Sequence, residues 1–106
     1  MIKFEDFKKL EIKIGKVLTA EKIEGSEKLI RLEIDLGKEK KQIIAGMAEF
    51  YKSDYFLNKE LVILTNLEPK KFMEIESQGM VLAANVKGKP ILLIPESKVP
   101  PGSRVK

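Results

Sequence analysis

Residues 30–36 read Ile-Arg-Leu-Glu-Ile-Asp-Leu, an unbroken alternation of branched apolar and charged side chains. Successive side chains of a strand leave on opposite faces, so this segment buries Ile30, Leu32, Ile34 and Leu36 and sends Arg31, Glu33 and Asp35 to water. A strand wet on one face belongs to an antiparallel sheet. The preceding apolar series supplies a neighbour. Leu10, Ile12 and Ile14 alternate with Glu11 and Lys13, then the phase slips at Gly15 and Val17 resumes the series at an odd position. Glycine inside a strand that changes phase predicts a bulge or sharp bend, and a long bent first strand can serve both halves of a small barrel.

The remaining segments complete an all-β chain. Residues 20–27 are polar, with a turn at Gly25-Ser26. Residues 37–40 turn the second strand into a third at 42–46. Residues 47–57 hold Met47, Phe50, Tyr51, Phe56 and Leu57, with helical character around 48–51, and suit a plug over one open end of a barrel. Apolar runs at 61–65 and 80–86 supply a fourth and a fifth strand, and residues 87–89 turn into a sixth at 90–95. Its prolines mark an edge. Before the first strand, Phe4 and Phe7 sit three apart with Glu5 and Asp6 early and Lys8 and Lys9 late, as in a short helix whose phenylalanines lid the core. The sum is a five-stranded OB-fold barrel with a short N-terminal helix, a small helical plug between strands three and four, and a C-terminal hairpin extension. One domain, residues 1–106, fills the chain.

Composition removes most chemistry. The 106 residues are 43% hydrophobic and 34% charged, the balance of a globule with an ionised surface. No apolar run approaches the roughly 20 residues of a membrane span, and the first residues lack the pattern of a signal peptide, so the expectation is a cytoplasmic protein with no membrane partner. There is no cysteine and no histidine, which excludes disulfides, thiol chemistry, the usual zinc sets and histidine acid–base catalysis. A glycine-rich phosphate loop, a nucleophile elbow and an Asp-x-Asp pair are all missing. Glu74 and Glu76 could pair only in an exposed loop, where nothing raises a carboxylate pKa. No enzyme activity, cofactor, metal or small-molecule substrate is expected. Twenty basic against sixteen acidic residues give a net charge of +4, too mild for a bulk phosphate magnet, so any nucleic-acid binding depends on where the charges sit.

The candidate site is the stretch between the fourth and fifth strands. It opens as a polar loop carrying Asn66, Pro69, Lys70, Lys71 and Ser77 and re-enters the core at Gly79-Met80. Asn66 either caps the strand end or displays an amide able to bond a base edge or a 2′-hydroxyl. Lys70 and Lys71 present two ammonium groups, yet residues 68–76 sum to −1, which leaves room for one or two directed phosphate contacts. Gly79 marks a positive φ or a close backbone approach. Met80 is either a core residue or a polarizable surface for a nucleobase.

In order along the chain stand Asp6-Phe7-x-Lys9-Leu10-Glu11-Ile12-Lys13-Ile14-Gly15-Lys16-Val17, Glu27-Lys28-Leu29, Leu32-x-Ile34-Asp35-x-Gly37, Gln42-Ile43-x-Ala45-Gly46, Asn66-Leu67-x-Pro69-x-Lys71, Ser77-x-Gly79-Met80 and Pro100-Pro101-Gly102. This series resembles the tRNA-binding domain family, attached to bacterial methionyl-tRNA synthetase and to eukaryotic synthetase cofactors and also found as short free-standing, β-subunit-like proteins. The resemblance implies an OB-fold that binds tRNA by shape near its outer elbow. It implies contacts at Asn66, Lys70, Lys71, Ser77 and Met80, with Lys28 and, less firmly, Lys13 and Arg31 adding phosphate contacts. It further implies a homodimer built partly from the N-terminal helix and residues 95–105, with methionyl-tRNA synthetase as a second partner. Many members carry His-Pro before Lys-Leu where this chain has Glu24-Gly25-Ser26, which weakens the assignment of Lys28. A related family of dimeric secretion-associated chaperones shares the fold, and binding of unfolded polypeptide is the alternative. That family is characterised by the lack of the Ser-x-Gly-Met signature present here.

Overall fold

The computed structural model describes residues 1–106. A one-turn helix α1 (Phe4–Phe7) precedes β1 (Ile12–Lys22), β2 (Ile30–Asp35) and β3 (Lys40–Ala45), a 3-10 turn (Ser53–Phe56) and β4 (Glu60–Leu64). Six short strands follow: β5 (Lys70–Phe72), β6 (Ile75–Ser77), β7 (Met80–Val81), β8 (Ala83–Val86), β9 (Lys89–Leu92) and β10 (Arg104–Val105). The main sheet runs β3-β2-β1-β4-β7, with β10 added to β1. It curls into a nearly closed five-stranded barrel, the OB-type architecture expected from the alternation.

β1 is the shared strand. Its first half pairs with β4 from Ile12↔Leu64 to Lys16↔Glu60, and its second half pairs with β2 from Lys16↔Asp35 to Lys22↔Ile30. The register shifts between Val17 and Thr19, so the bulge falls beyond Gly15. Gly15 serves packing instead: a Cβ there would lie 2.3 Å from Ile34 Cγ2 and 3.2 Å from Ile63 Cγ1. Side chains of β2 and β4 cross the barrel through the space it leaves.

The alternating residues form the core. Val17, Ile30, Leu32, Ile34, Ile43, Leu61 and Ile63 are fully buried, and so is Phe56. Phe56 makes the plug, with Tyr51 edge-on to it at 5.8 Å between ring centroids. A hydrogen-bonded turn stands at residues 48–50, where the Phe50 and Tyr51 amides both donate to the Met47 carbonyl at 3.0 Å, and the 3-10 turn Ser53–Phe56 that follows delivers Phe56. Tyr51 donates from its hydroxyl to the Pro90 carbonyl at 2.7 Å, tying the plug to β9. The expected fifth strand divides at Leu82: β7 pairs with β4, and β8 leaves to form a separate hairpin with β9.

The phenylalanines of α1 do not lid the core. Phe4 is 71% exposed, and it stacks on Phe7 at 6.4 Å outside the barrel. A single helical turn cannot reach back over the barrel mouth, and residues 9–11 are pinned beside β4, as described next.

Candidate nucleic-acid interface

Residues 66–79 are not an open loop. β5 and β6 form a hairpin in the register Lys70↔Ser77, Lys71↔Glu76 and Phe72↔Ile75, closed by the two residues Met73 and Glu74. Directly opposed residues share a face, so Lys70, Phe72, Ile75 and Ser77 line one side and Lys71 and Glu76 the other. Lys70 and Lys71, adjacent in a strand, therefore point to opposite faces. The ammonium of Lys70 lies 5.0 Å from the Phe72 ring centroid, as two-residue spacing in a strand allows.

The hairpin is fastened to the free edge of β3 by side chains acting as strand backbone. Ser77 is 4% exposed. Its Oγ accepts from the Ile44 amide at 3.0 Å and donates to the Gly79 carbonyl at 3.0 Å. Gln78 accepts from the Gln42 amide through Oε1 at 2.8 Å, and its own amide donates to the Gln42 carbonyl at 2.8 Å. Gln42 Nε2 returns a bond to the Glu76 carbonyl at 2.8 Å. These bonds close the barrel where a continuous ladder is missing. Gly79 meets the expected close approach, since a Cβ would lie 2.8 Å from the Leu64 carbonyl oxygen.

Asn66 is likewise engaged inside the molecule. Its Oδ1 accepts from the Glu11 amide at 2.8 Å, and its Nδ2 donates to the Lys9 carbonyl at 2.7 Å. The Thr65 amide donates to the Glu11 carbonyl at 2.8 Å, so β4 continues its pairing with the chain before β1 through one backbone bond and one amide side chain.

The cations divide into paired and free. Lys13 lies 3.1 Å from the Glu11 carboxylate, and Arg31 is joined to Glu21. The Lys13 hydrogen bond, ahead of one from the Thr65 hydroxyl, holds the Glu11 carboxyl below the usual carboxylate range. Lys28, Lys70 and Lys71 are exposed and make no ion pair. The hairpin tip rests against the β1–β2 loop that carries Lys28, because the Met73 methyl lies 3.3 Å from where a Gly25 Cβ would stand. Met80 is 45% exposed. It lies at the hairpin root in the row Ile12↔Leu64↔Met80, away from the tip. Across β1, β2 and β3, a polar groove of about 300 Å³ is lined by Thr19, Glu21, Arg31, Glu33, Lys41 and Gln42.

A family model described as "Putative tRNA binding domain" matches residues 12–104. The chain belongs to this tRNA-binding domain family. The methionine–tRNA ligase of Archaeoglobus fulgidus is 54% identical over 104 residues, covering 98% of this chain and 16% of the ligase. The chain thus spans about one sixth of the length of such curated relatives. Among solved structures, a MetRS-related protein from Pyrococcus horikoshii superposes with TM-score 0.96 at 37% identity, covering 100% of this chain and 98% of that one. The chaperone CsaA of Bacillus anthracis superposes with TM-score 0.89 at 32% identity, covering 100% and 99%.

In this tRNA-binding domain Lys70 and Lys71 stand free on the hairpin and Lys28 on the β1–β2 loop, while Ser77 fastens the hairpin to β3 and Asn66 fastens residues 9–11 to the end of β4. Sequence reasoning missed Gln42 and Gln78, the other half of the barrel seam, and Met73 at the tip. The alternations Lys-Lys-Phe and Ile-Glu-Ser around a two-residue gap carried the only signal for the hairpin.

Proposed function

We propose that this chain is a non-catalytic, structure-specific tRNA-binding protein that acts in trans as a homodimer and strengthens the hold of a methionyl-tRNA synthetase on tRNA. The observation that carries the reading is that three exposed cations without an ion pair, Lys28, Lys70 and Lys71, stand on the β5–β6 hairpin and the loop its tip rests against. Structured RNA is recognised through backbone geometry and 2′-hydroxyls more than base edges, so a few directed ammonium groups suffice in a chain of modest net charge. Met80 adds an exposed thioether at the hairpin root. Lys13 and Arg31 contribute once their carboxylate partners exchange for phosphate. Ser77 acts by fixing the hairpin, and Asn66 by fixing the segment before β1 to the end of β4.

The homodimer is supported by apolar surface that a lone barrel leaves open. Phe4 and Leu10 are exposed large apolar side chains beside the start of β1. Together with Phe7 and Val105 they line a groove of about 410 Å³. Apolar ground of this kind, built from both terminal segments, fits a second copy of the chain.

Folded tRNA, heat-unfolded tRNA, duplex DNA and a denatured polypeptide, titrated in parallel, separate the readings. Tight binding confined to folded tRNA is expected, by a species that sediments as a dimer. Preference for the denatured polypeptide would replace this function with the chaperone alternative, and a monomer at binding concentrations would remove the dimer from it.

A further inference from the structure

The turn between β5 and β6 breaks a rule that the other tight hairpin keeps. Met73 and Glu74 both have positive φ, 51° and 67°. A two-residue hairpin turn with both φ positive is type I′, ordinarily built from Asn-Gly or Asp-Gly because left-handed backbone crowds a Cβ. The β8–β9 hairpin turns through Lys87 and Gly88, with φ 52° and 89°, and so places glycine second. The β5–β6 tip places side chains at both positions, one of them a methionine that is 53% exposed. The departure lies at Glu74, since Met73 (φ 51°) matches Lys87 (φ 52°), so the turn does not call for a methionine and Met73 is exposed there for something else.

The surroundings indicate for what. Met73 bridges the hairpin to the Gly25 loop, so its thioether lies between the element that carries Lys70 and Lys71 and the one that carries Lys28. A polarizable, flexible apolar group at the tip of a hairpin that carries two unpaired lysines, resting on the loop that carries a third, matches one kind of ligand surface, a nucleobase face with phosphates nearby. A protein partner or a lipid surface would require a continuous apolar area, and the outer face of the hairpin carries Lys71 and Glu76 instead.

We propose that Met73 is an RNA-contact residue, its thioether packing on an unstacked base of the bound tRNA while the neighbouring lysines hold phosphates. The inference rests on the tRNA reading above.

Two variants test it, Glu74→Gly and the double Met73→Asn/Glu74→Gly, each assayed for thermal unfolding, folded-tRNA affinity and sedimentation. Both should melt higher than the parent, by about 4–8 °C for each relieved residue. Glu74→Gly should bind tRNA at least as well as the parent, and the double variant about tenfold more weakly. A merely structural role for Met73 cannot raise stability and lower affinity together. Double-variant affinity equal to that of Glu74→Gly would overturn the inference while leaving tRNA binding intact. A changed sedimentation coefficient would overturn it in favour of packing against a second copy. Failure of the parent itself to bind tRNA would remove both readings.

Discussion

Ser77→Ala is expected to lower the stability of the domain by about 2 kcal/mol, because the Ile44 amide is left without its acceptor in a buried seam. Ser77 is 4% exposed and its hydroxyl already makes two bonds. Urea unfolding measures the loss, and hydrogen exchange locates it: the amide of Ile44, and through the shared seam that of Gln42, should exchange faster while those of β2 do not. The hairpin carrying Lys70 and Lys71 hangs on the same seam, so tRNA affinity should weaken as a consequence. Full stability with abolished tRNA binding would instead make the hydroxyl a direct contact.

The second large effect lies where the C-terminal segment meets the β2–β3 turn. Gly102 has φ +91°, and a Cβ there would stand 2.3 Å from the Leu36 carbonyl oxygen. Its amide donates to the Ile14 carbonyl at 2.7 Å, so the residue cannot move aside without releasing β1. Facing it, Gly37 has φ +88°, and its Cβ would lie 2.7 Å from the Pro101 carbonyl oxygen. Gly102→Ala therefore combines left-handed strain with a backbone clash and should cost about 3 kcal/mol. It should also detach β10, uncovering Ile14, which is 6% exposed in the intact chain. Urea unfolding checks the magnitude; a loss below about 1 kcal/mol would show that the segment shifts freely.

Both sites show what the sequence could and could not convey. The strands were legible wherever alternation ran for five residues or more, as in 30–36, because a period of two has one physical meaning. Gly15 was legible as a special position but not in its role, since the crowding comes from Ile34 and Ile63 across the barrel. The β5–β6 hairpin reads as a loop because each strand has three residues and its turn lacks the usual Asn or Gly. Of the candidate site residues, Lys28, Lys70, Lys71 and Met80 are exposed, as residues offered to a partner must be. Ser77 and Asn66 were legible only as polar residues of a signature. Their partners lie 33 and 55 residues away in the chain, and a side chain that completes a distant strand edge looks in sequence like one offered to a ligand.

The central claim is that placed ammonium groups, and not bulk charge, hold tRNA on this surface. Its most direct measurement is the salt dependence of folded-tRNA affinity for the parent chain and for Lys28→Ala/Lys70→Ala/Lys71→Ala. The parent should give a log–log slope of about −2 to −5, from roughly three to six phosphate contacts. The triple variant should bind more weakly with a slope shallower by about 2 to 3, because each substitution frees one phosphate to keep its counterion. An affinity independent of salt, or a slope unchanged by the three substitutions, would contradict the account.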